Sequence, residues 1–247
     1  MASRKFGSRK VEISTVTKIP FPNIHSAIYA LAFIGLLLIS LVGNAQDIKW
    51  GARAGLNFSN LDFDSFEFLD KDGIKLNVSS DGVYVGYHVG VFSQIGFTNI
   101  PLMFNPEILY STTGGKIKIM ESMNGAEINT TSENQIYGRL EVPLIVALDL
   151  SPFRVSAGPV PTFFLSNNKT LTNLLEDRVN IDISDNFDSP VLSFQIAFGM
   201  NLGKKFAIDL KYEDSFSGET GVGQGVILAK PTSQQFIFSL GYFLNQN

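Results

Sequence analysis

The sequence predicts an all-β fold, an eight-stranded antiparallel up-and-down transmembrane β-barrel preceded by a cleavable signal peptide. Three observations carry this expectation. A basic N-terminal stretch leads into a single apolar run too short to span a membrane as a helix. Beyond it, apolar residues recur at every second position. The connections between these alternating segments are themselves alternately short and long.

Arg4, Lys5, Arg9, Lys10 and Lys18 precede the uncharged run Ala27–Val42, and Gly43-Asn44-Ala45 then offers small residues before a cleavage point. At 16 residues the run falls short of the ~20 that a spanning helix needs. Residues 1–45 are therefore expected to be a signal peptide and residues 46–247 the mature outer-membrane domain. The basic stretch is long for such a leader, which is consistent with a true start further along the chain. Of 19 basic and 23 acidic residues, five and one fall in the leader, leaving 14 and 22 and a mature net charge of −8. So acidic a chain offers nucleic acid no basic face. Without cysteine there is no disulfide framework, no thiol catalysis, no thiolate metal site and no lipid-anchored N-terminus. Twenty-one Phe and seven Tyr beside 22 Gly are a strand-and-turn composition. Charged residues make up 17%, below the roughly one quarter of a soluble domain.

The alternation is clearest in Lys205–Glu213, where Phe206, Ile208, Leu210 and Tyr212 share one face and Ala207, Asp209 and Lys211 the other. Val191–Asn201 and the C-terminal segment around Phe236, Phe238, Leu240 and Tyr242 repeat it. Trp50–Phe58, Gly82–Ile95, Leu102–Thr112, Gln135–Ala147 and Phe153–Leu165 complete the predicted strands. Pro143, Pro159 and Pro161 interrupt two of them, since proline cannot donate to a sheet ladder.

Gly96–Pro101, Leu148–Pro152 and Asn201–Lys204 read as tight turns, whereas 59–81, 113–134, 166–190 and 215–232 read as long polar loops. Short turns at one rim and long loops at the other is the pattern of outer-membrane barrels. A soluble lipocalin-like barrel is the competing architecture, with its polar face in water. That polar face is too sparse for water. Arg53, His88, Glu107, Arg139, Glu141, Arg154, Asp209, Lys211 and Glu213 are spread thinly among Gly, Ala, Ser, Gln and Asn. Small residues with opposite charges suit a narrow lumen, and the Phe, Leu, Ile and Val of the other face suit lipid. Tyr110, Phe153, Phe164, Tyr212 and Tyr242 are expected in interfacial girdles.

The opening strand Trp50-Gly-Ala-Arg-Ala-Gly-Leu-Asn-Phe-Ser-Asn-Leu61 resembles the first strand of PorT-like outer-membrane β-barrel proteins. Tyr137-Gly-Arg-Leu-Glu-Val-Pro-Leu144 and the hairpin from Phe198 to Tyr212 are similar to that family's central strand and penultimate hairpin. The likeness spans essentially the whole mature chain. It implies a small outer-membrane barrel, and through the family's founding members a link to the type IX secretion and gliding apparatus.

The nine inward residues just named admit two readings, a salt-bridged plug or the selectivity lining of a water-filled pore. Eight strands enclose a space that side chains just fill, which favours the plug. A lipid-modifying enzyme would need a histidine beside a serine or another nucleophile, and the mature chain holds only His88, phased into the lumen. No catalytic residue, metal or cofactor is therefore expected. Acids in 59–81 (Asp62, Asp64, Glu67, Asp70, Asp72, Asp81) and in 166–190 match no calcium-loop spacing and read as solvated surface. Phe63, Phe66 and Phe68 read either as a partner surface or as strand residues of a hairpin above the membrane. The expected function is a non-enzymatic integral outer-membrane barrel with a structural or accessory role. Its expected partners are outer-membrane lipid, the barrel-assembly machinery and secretion-system components. A narrow channel or small-ligand transporter is the alternative, and a lipid-modifying enzyme comes third.

Overall fold

The structure is a computed structural model that describes residues 45–62, 65–70, 72–168, 191–215, 222–223, 226–227 and 232–245. The expected leader lies outside the described residues apart from Ala45, as do Phe63, all of 169–190 and most of 216–231. The strands are β1 (Ala45–Asp62), β2 (Phe66–Leu69), β3 (Lys75–Phe97), β4 (Leu102–Met123), β5 (Ala126–Glu141) and β6 (Leu144–Leu150). They continue as β7 (Phe153–Asn167), β8 (Val191–Leu202), β9 (Phe206–Ser215), β10 (Val222–Gly223), β11 (Val226–Ile227) and β12 (Thr232–Phe243).

Each strand of the wall pairs antiparallel with its neighbours in the chain, and β1 closes the circuit by pairing with β12, from Gly51 opposite Phe243 to Asp62 opposite Thr232. The circuit runs β3-β1-β12-β9-β8-β7, then β5 and β6 together, then β4 and back to β3. Closure removes the free edges of an open sheet, so the wall leaves no row of unpaired backbone groups to face lipid.

Proline explains why β5 and β6 are separate. Pro143 lacks the N–H that a ladder needs, and the chain breaks at Val142-Pro143, yet both halves pair with the same two neighbours, β4 and β7. The pairing of β7 with this run lapses between Ala157 and Thr162, where Pro159 and Pro161 lie. Val142 N–H donates to the Pro161 carbonyl at 2.9 Å, so Pro161 points its missing donor at the break as well. Three prolines thus share one irregularity, and β7 continues through it in register with β8.

Period-2 alternation sets the two faces. Along β8, Leu192, Phe194, Ile196 and Phe198 are exposed, while Ser193, Gln195, Ala197 and Gly199 are buried. Phe206 and Leu210 of β9 and Phe236, Phe238 and Tyr242 of β12 continue the outward apolar face. Aromatic pairs cluster at both ends of the wall: Phe206 with Tyr242 and Phe153 with Phe198 toward the tight turns, Tyr212 with Phe236 toward the long connections. Phe164 does not join a girdle. It lies opposite Arg139, on the inner side of β7, and meets Tyr137 edge-on at 5.7 Å, because its position has the parity of Arg154 and Thr162.

The connections differ from expectation at one rim. The tight turns stand where the sequence placed them, with Asn99 and Gly203 at positive φ. The segment 113–134, read as a loop, is instead a hairpin in which β4 runs to Met123 and β5 starts at Ala126. Its turn is Asn124-Gly125, with φ of 53° and 82°, the left-handed pair that a two-residue type I′ turn requires. Likewise 59–81 contains β2 and the first residues of β3, paired with each other and with β4. These extensions carry a core of their own: Leu76, Val78, Ile117 and Ile119 are buried, with Phe68 packed against them.

Leu210, 60% exposed in the middle of β9, tests the outward assignment. Leu210→Arg should lower the stability of the barrel refolded in phospholipid vesicles by up to about 4 kcal/mol in denaturant titration.

Candidate functional site

Among the described residues the interior of the wall buries four basic side chains, Arg53, Arg139, Arg154 and Lys211, and four acidic ones, Glu107, Glu141, Asp209 and Glu213, together with His88. A charge removed from water costs several kcal/mol, so such groups persist only in pairs or networks. Most of them form one chain across the lumen. Lys211 Nζ donates to Glu107 Oε2 at 2.9 Å, and Arg53 Nη1 donates to the other Glu107 oxygen. The same guanidinium donates through Nη2 to Asp209 Oδ2 at 2.6 Å, while Asp209 Oδ1 accepts from Arg154, which also donates to Asn201. This spine links β1, β4, β7, β8 and β9, strands that ring closure brings face to face. The Arg53 guanidinium also stacks 4.4 Å above the Phe92 ring, where cation–π attraction adds to the ion pairs.

Small residues make room for the spine. A Cβ on Gly199 would collide with the Asp209 carboxylate and sit 2.7 Å from Arg154 Nε. On Gly55 it would lie 2.9 Å from His88 Nε2. The glycines of the inner face are therefore the counterpart of its long charged side chains.

Two further layers lie toward the long connections. In one, His88 Nδ1 lies 2.7 Å from Asn57 Oδ1 and His88 Nε2 lies 2.8 Å from Ser239 Oγ. The Asn57 oxygen can only accept, so Nδ1 carries the proton and Nε2 accepts from the serine. Asn57 Nδ2 in turn donates to Ser111 Oγ at 2.9 Å. Ser239, His88 and Asn57 have the contacts of a hydrolase relay, but the serine is fully buried and faces away from lipid. Neither was named from the sequence as a partner of His88; Asn57 stands opposite Gly86, and Ser239 opposite Gly55, the residue across from His88, a juxtaposition that only the ring register reveals. In the other layer, Arg139 Nη2 donates to Glu141 Oε1 at 2.7 Å, and Glu213 stands beside them without an ion pair among the described residues.

At the tight-turn mouth a polar recess of about 240 Å³ is lined by Asp47, Lys49, Gln94, Asp149 and Asn201, among others. Asn201 accepts from Arg154, so the recess ends on the spine. Above the wall, two of the acids read as solvated surface serve structure, Asp70 and Glu67. Asp70 Oδ1 accepts from the backbone N–H groups of Asp72 and Ile74 at 2.8 and 2.9 Å. Glu67 accepts from Lys75 at 2.6 Å, and these contacts hold its carboxyl below the ordinary range. Among the described residues no cluster of three metal-ligating side chains occurs. Phe68 is used by the hairpin core and does not stand free as a partner surface; Phe66 pairs opposite Val78 in β2, and Phe63 lies outside the described residues.

Residues 44–221 match the family model described as the outer membrane protein beta-barrel domain. The chain belongs to this family. That membership places the barrel in the outer membrane of the Gram-negative type, with the apolar face in lipid. No curated protein matches the chain. Among solved structures, Neisserial surface protein A is similar at 9% identity and a TM-score of 0.44, covering 80% of this chain and 99% of that one. OprG of Pseudomonas aeruginosa is similar at 13% identity and 0.38, with 83% and 99% covered. Ail of Yersinia pestis is similar at 14% identity and 0.36, with 81% and 100% covered.

The spine makes a quantitative prediction. Arg53→Met, which leaves Glu107 with Lys211 alone and Asp209 with Arg154 alone, should cost about 1–3 kcal/mol in refolding titrations, from the carboxylate oxygens that lose their donors. Adding Glu107→Gln and Asp209→Asn should deepen that loss, because Lys211 and Arg154 then lose their carboxylates; recovery of stability across the series would contradict the network.

Proposed function

We propose that this barrel is a non-enzymatic, structural or accessory component of the outer membrane, of the PorT-like kind, acting in type IX protein secretion. The observation that supports this reading is the spine from Lys211 to Asn201, a chain of ion pairs and hydrogen bonds that crosses the lumen and is read here as a plug. A barrel that does not conduct acts through its surfaces, and the hairpin extensions of β3, β4 and β5 give it one beyond the wall. The PorT-like resemblance of the first and central strands supports the secretion role. The leader 1–45 is read as the signal that exports the chain and is then cleaved. The barrel-assembly machinery then inserts the strands into lipid.

The experiment that tests the accessory role is affinity isolation of the tagged protein from detergent-solubilised outer membranes. Co-isolation of secretion-system components is expected, and a barrel recovered alone would remove the secretion role. Planar-bilayer recording is expected to show no steady conductance; a stable, ion-selective current would favour the channel reading instead. An activity-based fluorophosphonate probe should leave Ser239 unlabelled, and His88→Ala should lower stability without changing phospholipid turnover. Labelling of Ser239 would favour an enzyme.

A further inference from the structure

The outer layer of the lumen is not self-satisfied in the way the spine is. Glu213 is 2% exposed, and among the described residues no Lys or Arg nitrogen lies within ion-pair distance of it. The two nearest cations are committed elsewhere. Arg139 binds Glu141 at 2.7 Å, and Lys211, two residues along β9, binds Glu107 at 2.9 Å. The negative charge of Glu141 acts on Glu213 as well. Arg139 and Glu141 cancel one another, so no cation in contact with Glu213 compensates its charge; Lys211 acts on it only from beyond ion-pair distance.

Unpartnered oxygen ligands surround that charge. Gln235 lies directly across from Glu213 on β12, and Gln195 directly across on β8, so the three form a row over adjacent strands. Ser193, two residues before Gln195 on the same face, stands on the diagonal to Glu213. Glu213 Oε2 and the Ser193 hydroxyl are buried without a hydrogen-bond partner, the Gln235 amide faces the Glu213 carboxylate with neither polar atom in a well-formed hydrogen bond, and Gln235 and Ser193 are each 1% exposed. Buried polar atoms without partners are rare in folded proteins and signal an unseen ion or water. Water would satisfy the lone pairs but would leave the charge uncompensated.

We propose that this row binds a hard monovalent cation, sodium or potassium, with the Glu213 carboxylate as its counter-charge and the Gln235 carbonyl and Ser193 hydroxyl as neutral oxygen ligands. One uncommitted carboxylate matches one positive charge. A calcium site would draw on more carboxylates than this layer has to give. The site lies close to the ends of β9 and β12 at the long connections, on the opposite side of the spine from the recess at the tight-turn mouth. Such a cation is held in the outer lumen and does not pass through it. The inference is independent of any role in secretion.

The test uses the full barrel folded in detergent, with thermal unfolding followed in sodium, potassium and choline chloride at equal ionic strength. Choline is too large for the row. The wild-type midpoint should rise by roughly 2–4 °C in sodium or potassium over choline, and Glu213→Gln, which keeps the shape and removes the charge, should erase the difference. Equal midpoints in all three salts would overturn the site, leaving Glu213 neutralised by a proton. A difference that survives in Glu213→Gln would overturn it too. Should that variant fail to fold, wild-type crystals soaked in a thallium salt give a separate readout. An anomalous peak beside Glu213 is expected, and its absence would overturn the proposal.

Discussion

The structure depends on Arg53. Its guanidinium is buried inside a closed ring and must find its counter-charges within the wall. It finds Glu107 on one side and Asp209 on the other, and each of these recruits a second cation. Several features of the lumen follow from that arrangement. Gly199 is small because Asp209 and Arg154 meet beside it, Phe92 lies flat beneath the guanidinium, and the recess at the tight-turn mouth ends at Asn201.

Above this spine the inner face changes character. The His88 layer is polar but uncharged, held by Asn57 and Ser239. The Glu213 layer carries a charge without an ion-paired partner, and beyond the wall the faces of β3 and β4 become apolar around Leu76, Val78, Ile117 and Ile119. The gradient tracks the surroundings. Charges are paired where lipid encloses the wall, and an ordinary hydrophobic core forms where the strands rise past it.

The prolines show the same economy on the wall itself. Pro143, Pro159 and Pro161 would each cost a ladder hydrogen bond if scattered over separate strands. Gathered at the junction of β5, β6 and β7, they share one break, and Val142 still finds the Pro161 carbonyl. The break divides one run into two strands without opening the ring.

The sequence by itself determined the two faces of the wall, because side chains alternate with a period of two regardless of which strands pair. Arg53, Glu107, Asp209 and their companions could therefore be assigned inward from their spacing alone. The hairpin at Asn124-Gly125 was also legible, since asparagine-glycine between alternating residues is a strong turn signal, but the surrounding polar residues gave it the look of a loop. Phe164 was misplaced although its even spacing from Arg154 already put it on the inner face; an aromatic residue near a strand end was read as interfacial without regard to that parity. Only the tertiary structure decided the partners. Arg53 meets Asp209 across 156 residues and His88 meets Ser239 across 151, contacts fixed by the register at which β1 closes on β12. Register is a property of the whole ring, set by turns, bulges and breaks added together, and no single segment contains it.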